Sequence, residues 1–408
     1  MTTHAQNDKR AIVIGAGIAG LVTARVLSDH ARQVTILERD ILAEEPISRR
    51  GVPQGRHGHA LLLVGQRLLD GWFPGLTEEL IEKGAMPIDA MDIVFHQSAG
   101  HRVRADLGFI AVSMSRPLLE NTLRRRLLEQ CPNVTIVDRV KVNRPLVEDG
   151  LVVGVRIDGA DPRADLVVDC SGRKTRSFDH LAQAGYPLPN ITAIRIDVAS
   201  GTRVVRRRAE GLTQATTHLM RTSQRRHVER LDRTPPGFLV LGDAICSFNS
   251  ICGQDTSSAA LQARALGVAI ERHGLTSPTL ARAFYKRAAR IVDVPWRIAA
   301  GADFADPRTT GPKPARTDLV NTYLDMVFGA SQTSLPVARQ LTRVQNLLAR
   351  PESLLTPNMI VRVLLASRRS PATLRNTTGR PTSIGPATTE PISHARHAVT
   401  VPTHLVSR

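Results

Sequence analysis

Aromatic residues are scarce: Phe, Trp and Tyr together make up 3% of 408 residues. That leaves few platforms on which nucleic-acid bases could stack. Cysteine is as sparse, and Cys131, Cys170, Cys246 and Cys252 form neither a Cys-x-x-Cys pair nor a disulfide framework. They read as reduced, mostly buried cytosolic thiols. No His or Cys stands at ligand spacing from them, so no metal site is expected. Long apolar runs are missing too, each being broken by Arg, Asp or Gly well before the roughly 20 residues a membrane span needs. The opening MTTHAQNDKR is polar and lacks a secretory pattern. A cytoplasmic protein without a transmembrane segment is expected, and no internal repeat is visible.

Acids are outnumbered, 37 against 54 Lys and Arg, for a formal net charge of +17. The excess is localised. Residues 195–233 carry ten Arg against four acids, and residues 366–408 six Arg against one. No basic–aromatic alternation and no nucleic-acid motif accompany them, so nucleic acid is not expected as a partner. A solvated, Arg-rich face is the simplest reading, with room for an anionic partner or a membrane surface.

What is present begins at Ala11. Four apolar residues, Ala11 to Ile14, read as a buried parallel strand that runs into Gly15-x-Gly17-x-x-Gly20 and then into an apolar helix. A second strand, Val34 to Leu37, ends on Glu38, which is followed by Arg39. Gly15 allows the tight turn, Gly17 lets backbone approach a pyrophosphate, and Gly20 lets helix and strand pack closely. The helix N-terminus attracts phosphate charge, and Glu38 can accept hydrogen bonds from a ribose hydroxyl. This pattern predicts a dinucleotide site.

Two further glycine-bearing turns follow short apolar strands, one at Asp169-Cys170-Ser171-Gly172 and one at Gly242-Asp243-Ala244. A nicotinamide dinucleotide would need only the first turn, whereas an extended flavin dinucleotide needs several close backbone approaches. Between these landmarks the pattern predicts a loop over 49–59, a helix from Ala60 to about Leu69, and strands at Met91–Phe95 and Arg102–Leu107. It predicts a helix over Ser115–Gln130 with Arg124 to Arg126 outward. Strands follow at Val134–Val137, Lys141–Val147 and Leu151–Ile157, with an Asp149-Gly150 hairpin turn. A strand at Phe238–Leu241, a helix at Ser257–Glu271, and helices over Leu280–Ile291 and Leu319–Leu348 complete the reading. Residues 367–408, rich in Ser, Thr, Pro and Arg, read as a disordered tail.

The quoted turns, with RRGVPQGRHGHALL at 49–62, SRPLLENTLRRRL at 115–127, DLVVDCSGRKTRS at 165–177 and FLVLGDAICSFNSICGQD at 238–255, resemble the FAD-dependent monooxygenases of the aromatic-hydroxylase type, with their geranylgeranyl-reductase and halogenase relatives. The resemblance covers most of residues 10–365. It implies an α/β fold: a Rossmann-type FAD-binding domain (GR2-like), a reduced mixed-sheet substrate domain and C-terminal helices. The boundaries it implies are 1–93, 108–190 and 234–300 for the FAD-binding domain. Residues 94–107 and 191–233 would be remnant substrate-domain strands, and 301–366 a helical region.

Residue by residue, the resemblance implies that Glu38 holds the adenosine ribose, with Arg39 beside it. Arg116 would lie along the ribityl-phosphate side, and Asp243, after Gly242, would bond a ribityl hydroxyl. Gly253 and Gln254 would bring backbone amides to the pyrimidine edge of the flavin. Asp169 and Gly172 would serve both flavin and NAD(P)H. His57 and His59 read as loop residues rather than bases, and no catalytic residue is assigned. The implied chemistry has NAD(P)H reduce FAD and O₂ oxygenate a small aromatic or lipophilic substrate.

Two departures bear on that. Only about 70 residues separate Gly172 from Gly242, with room for two strands, expected near Ile194–Val198 and Arg203–Val205. Asp255 stands where the family has a glycine that faces the flavin. A degenerate FAD-binding protein without turnover and an isoprenoid double-bond reductase are therefore alternatives. The halogenase option lacks a Trp-x-Trp pair, since Trp72 and Trp296 are far apart. Substrate, choice of NADH or NADPH, and oligomeric state are not legible.

Overall fold

The computed structural model describes residues 8–89, 96–97, 100–103, 110–203, 215–249 and 253–368. Strand β1 (Arg10–Ile14) enters the glycine-rich turn, helix α1 (Ile18–Ser28) leaves it, and β2 (Gln33–Leu37) returns beside β1. A Cβ on Gly20 would lie 1.8 Å from the Gly15 carbonyl oxygen. Glycine is required there for α1 to start so close to β1. Next come β3 (Gly58–Leu61), α2 (Leu63–Trp72), α3 (Leu76–Glu82) and β4 (Met86–Asp89). Two-residue strands β5 (His96–Gln97) and β6 (Gly100–His101) pair with each other, and β7 (Ile110–Ser115) pairs with both β3 and β4. Helix α4 (Arg116–Gln130) starts directly at the end of β7, where the Ser115 hydroxyl caps it by accepting the Leu118 N–H at 3.3 Å.

Strand β8 (Val134–Val137) precedes a hairpin of β9 (Val142–Glu148) and β10 (Leu151–Ile157). Asp149 and Gly150 turn it with φ of 47° and 75°, the left-handed pair a two-residue hairpin loop favours. Then follow β11 (Leu166–Asp169), α5 (Ser177–Gln183), β12 (Ile191–Arg203), β13 (Ala215–Arg226), β14 (Phe238–Val240) and β15 (Cys246–Ser247). The chain closes with α6 (Asp255–His273), α7 (Leu280–Asp303), α8 (Thr317–Ala330), α9 (Leu335–Gln345) and α10 (Pro357–Arg368).

The central sheet has the order β14-β11-β1-β2-β8 and is parallel throughout. From β1 the chain moves outward through β2 to β8, then crosses to the other side of β1 for β11 and β14. That reversal opens a crevice at the carboxyl ends of β1 and β11, where open parallel sheets hold ligands. Near-continuous apolar strands such as Ala11–Ile14 and Leu166–Val168 are buried on both faces. Helices α1 and α6 pack on each other, with Gly267 seated against Val26. A second, smaller core joins α8, α9 and α10 through Val327, Val337, Leu341 and Val363.

Several boundaries differ from expectation. Ala60 lies in β3, and the helix expected there starts at Leu63. Arg124 to Arg126 are half-buried rather than outward, because Glu79 pairs with Arg125 and Arg126 and the Ala43 carbonyl accepts from Arg124. The helix expected over 319–348 is two helices, since Pro336 in the first turn of α9 starts a new one. Between Gly172 and Gly242 the described residues hold two long strands, of 13 and 12 residues; the first spans Ile191–Arg203 rather than 194–198, and the second runs over 215–226 rather than 203–205. Its buried positions include Ser223 and Arg225, held by polar contacts that carry no apolar pattern. Helix α10 runs to Arg368 with Ala366 buried, past the expected start of the tail at 367. The strand expected at Met91–Phe95, most of that at Arg102–Leu107, Cys252 and the remainder of the tail lie outside the described residues.

Candidate functional site

Three segments far apart in the sequence line one cavity of about 470 Å³ at the carboxyl edge of the central sheet. The first contributes Gly15, Gly17, Glu38 and Arg39, the second Asp169 and Gly172, and the third Asp243 and Asp255; Arg116 enters from α4. Gly20 and Gly242 do not line the cavity. They set the turns instead, Gly242 with a φ of 71° against Ala19. Gly253 and Gln254, expected at the flavin edge, do not line it either. Gln254 is buried, donates to the Gln345 carbonyl at 3.3 Å, and leaves its Oε1 without a partner. Asp255 and Thr256 stand in the cavity instead.

The two ends of the cavity differ in charge chemistry. At the first end, no side chain caps α1 and no acid stands in its first turn, so its leading N–H groups are left for an anion. A Cβ placed on Gly17 would meet only the Arg49 guanidinium, at 3.9 Å, so backbone approach is open there. Glu38 is 4% exposed and is held from both sides. Its Oε2 accepts the Ala16 N–H at 2.7 Å and its Oε1 the Asp40 N–H at 2.9 Å.

Sequence reading passed over Arg49, which ties this end together. Its guanidinium lies 3.1 Å from Glu38, 3.2 Å from Asp40 and 2.7 Å from Glu120. Burial works against the charge, but Glu120, Glu38 and Asp40 outweigh it and hold the Arg49 pKa above the ordinary arginine value. Only the polar, turn-rich character of 49–59 was visible in the sequence, and that is shared by solvated loops. Arg39 stands at the mouth with its side chain 63% exposed.

In the middle, Asp169 organises the turn after β11. Its Oδ1 accepts the Ser171 N–H at 2.8 Å, and its Oδ2 accepts the hydroxyls of Ser177, at 2.6 Å, and Thr175. Burial pushes the neighbouring Cys170 thiol up to about 12, so it stays protonated and unreactive. Arg116 lies 4.0 Å from Glu120, the carboxylate that Arg49 also pairs with, and its Nε is buried without a hydrogen-bond partner. His59 of β3 shares a 3.3 Å hydrogen bond with Thr256, and burial, with Arg116 nearby, lowers its pKa to about 4. The imidazole is therefore neutral. His57 is half-buried beside it in sequence and does not line the cavity. Burial raises the pKa of both Asp243 and Asp255, while Arg116 opposes it at each.

Among the described residues no group of three His, Cys, Asp or Glu could hold a metal ion. No described helix is long and apolar enough to cross a membrane.

The fold joins a Rossmann-like nucleotide-binding unit to C-terminal helices and to two three-stranded sheets, β3-β7-β4 and β12-β13-β15, that are antiparallel rather than the mixed sheet expected. Residues 13–41 match the model of an NAD(P)-binding Rossmann-like domain. A structure of the oxygenase MHPCO, a point mutant, superposes with a TM-score of 0.55 at 15% identity, over 83% of this chain and 97% of that one. The Diels-Alderase PyrE3 superposes at 0.54 and 17% identity, over 83% and 80%. The chain is 32% identical to protein Rv3254 of Mycobacterium tuberculosis over 85% of its own length and 92% of that protein's, and it belongs to the same family.

Proposed function

We propose that the protein binds FAD in this cavity and acts as an oxidoreductase of the monooxygenase kind, with NAD(P)H as reductant and a small aromatic or lipophilic molecule as substrate. The observation that carries this reading is the convergence of three strand-end turns, at Gly15, Gly172 and Asp243, on one cavity. A nicotinamide dinucleotide on a single βαβ unit would need only the first. The residues present fit FAD. The uncapped start of α1 suits the pyrophosphate, Glu38 the adenosine ribose, and the unpartnered Arg116 Nε with Asp243 the ribityl side. When bound, FAD supplies two-electron chemistry and reactivity towards O₂. The chain's part is to position it, to hold Glu38 and Asp169 in place through the contacts described, and to keep His59 uncharged. The name of the structurally similar MHPCO, an oxygenase, agrees with this reading.

Asp255 favours a second reading, FAD binding without turnover, because a carboxylate at the flavin edge opposes the negative charge gained on reduction. Anaerobic mixing of flavin-loaded protein with NADPH or NADH separates the two. Bleaching of the flavin that reverses on admitting O₂ supports the oxidoreductase. Bound flavin that neither nucleotide bleaches supports binding alone.

A further inference from the structure

Helix α10 is apolar on two sides, and only one of them is covered. Val363 and Ala366 are buried in the second core, where α10 packs on α8 and α9. Val361, Leu364 and Leu365 are 53%, 45% and 54% exposed. They stand at i, i+3 and i+4, so they share one face of the helix, turned away from Val363 and Ala366. Pro357, one turn before Val361, continues that face and is exposed. A helix apolar all round is ordinarily buried on every side. Here the outward side meets no described element.

Charge narrows what can cover it. Residues 335–368 carry five Arg and one acid, Glu352, and that carboxylate already pairs with Arg297 at 3.0 Å. Arg343, Arg350 and Arg362 are exposed, and among the described residues none of them pairs with a carboxylate. Arg362 stands beside the apolar face, its Nε donating to Asn358 Oδ1 at 3.0 Å. A second copy docked through this face would set the same arginines against one another across a twofold axis. The chain's own continuation, residues 369–408, carries five Arg and one acid, so it too is like-charged. An anionic lipid surface matches both features, because it takes apolar side chains at its headgroup boundary and cations at its phosphates.

We propose that the outward face of α10 seats the protein on an anionic membrane surface, with Val361, Leu364 and Leu365 entering the headgroup boundary and Arg362 beside them meeting lipid phosphates. The contact is peripheral and reversible. It holds whether or not the cavity takes FAD. A protein held there meets molecules dissolved in lipid, one of the two substrate classes proposed above.

The test is sedimentation of full-length protein with vesicles of phosphatidylcholine, alone or mixed with phosphatidylglycerol, at low and high salt. Partitioning onto the mixed vesicles is expected to exceed that onto phosphatidylcholine by about tenfold or more and to fall as salt rises. The triple variant Val361→Ser, Leu364→Gln, Leu365→Gln changes only exposed positions. It is expected to melt at the wild-type temperature without vesicles and to lose about tenfold or more in partitioning onto the mixed ones. Wild-type protein that stays in solution with the anionic vesicles overturns the proposal. So does a variant that sediments as wild type does, since the chain's overall positive charge would then suffice without α10. Light scattering that finds a wild-type dimer and a variant monomer assigns the face to a second copy instead. A monomeric variant that melts well below a monomeric wild type shows the face already covered within the molecule, and overturns the proposal equally.

Discussion

The backbone N–H of Ala16 donates to Glu38 Oε2 across 2.7 Å, joining the glycine-rich turn to the end of the neighbouring strand. The carboxylate that would meet the ribose thus also sets the turn that would meet the pyrophosphate. Glu38→Ala is expected to weaken FAD binding by roughly 1.5–3 kcal/mol, the worth of a hydrogen bond to a charged group. Glu38→Gln should recover part of it by keeping an acceptor for Ala16. A fluorescence titration reads both, and unchanged affinity in the Ala variant removes Glu38 from the site.

Arg49 is the one cation described within 4.0 Å of three carboxylates, those of Glu38, Asp40 and Glu120. Arg49→Met leaves them facing one another with little solvent. Removing one partner of a buried ion pair costs about 3–5 kcal/mol, so a large fall in melting temperature is expected. The deficit should shrink at acid pH, where the stranded carboxylates can protonate. A melting temperature within a degree of wild type at neutral pH would show that solvent screens the cluster.

Both patterns were unequally legible in the sequence. Strand β1, the turn at Gly15 and Glu38 lie within 29 residues, and their residue types follow from local geometry, so they could be read directly. The Arg49 cluster joins Glu38, Asp40 and Glu120, and Glu120 is 71 positions from Arg49; no local pattern announces it. Asp255 stands out against a glycine in the resembled family, but that it lines one cavity with Asp243 follows only once the turn after β14 and the start of α6 are brought together. Strand β13 was misplaced because its buried Ser223, Arg225 and Arg226 are held by side-chain polar contacts. The break between α8 and α9 carried a signal, Pro336, that the continuing apolar spacing concealed.

Asp255 makes the flavin-free protein pH-sensitive in a set direction. Burial and Asp243 raise its pKa in the fold, so the folded chain keeps a proton that the unfolded chain releases. Stability is then lost as pH rises from the ordinary carboxylate range through the raised value, by up to about 1.4 kcal/mol per pH unit crossed. Asp255→Asn should melt higher than wild type at alkaline pH and equal to it at acid pH. Parallel melting curves at all pH values would place the carboxyl in solvent.

The C-terminal boundary can be set by truncation. Ending the chain after Arg368 is expected to leave the melting temperature and flavin content unchanged, since the composition beyond it offers little apolar burial to offset ordering. Ending it after Thr356 removes Val363 and Ala366 from the second core and should destabilise α8 and α9. Loss of flavin on the shorter cut at Arg368 would assign the tail a part in the site.

The central claim is that the cavity between Glu38 and Asp255 takes FAD, and flavin content tests it most directly. Protein purified and incubated with excess FAD, then freed of unbound flavin and precipitated with acid, is expected to release one FAD per chain into the supernatant. Release shows that the flavin is not covalently attached. Colourless protein after that incubation, with no flavin in either fraction, would contradict the account.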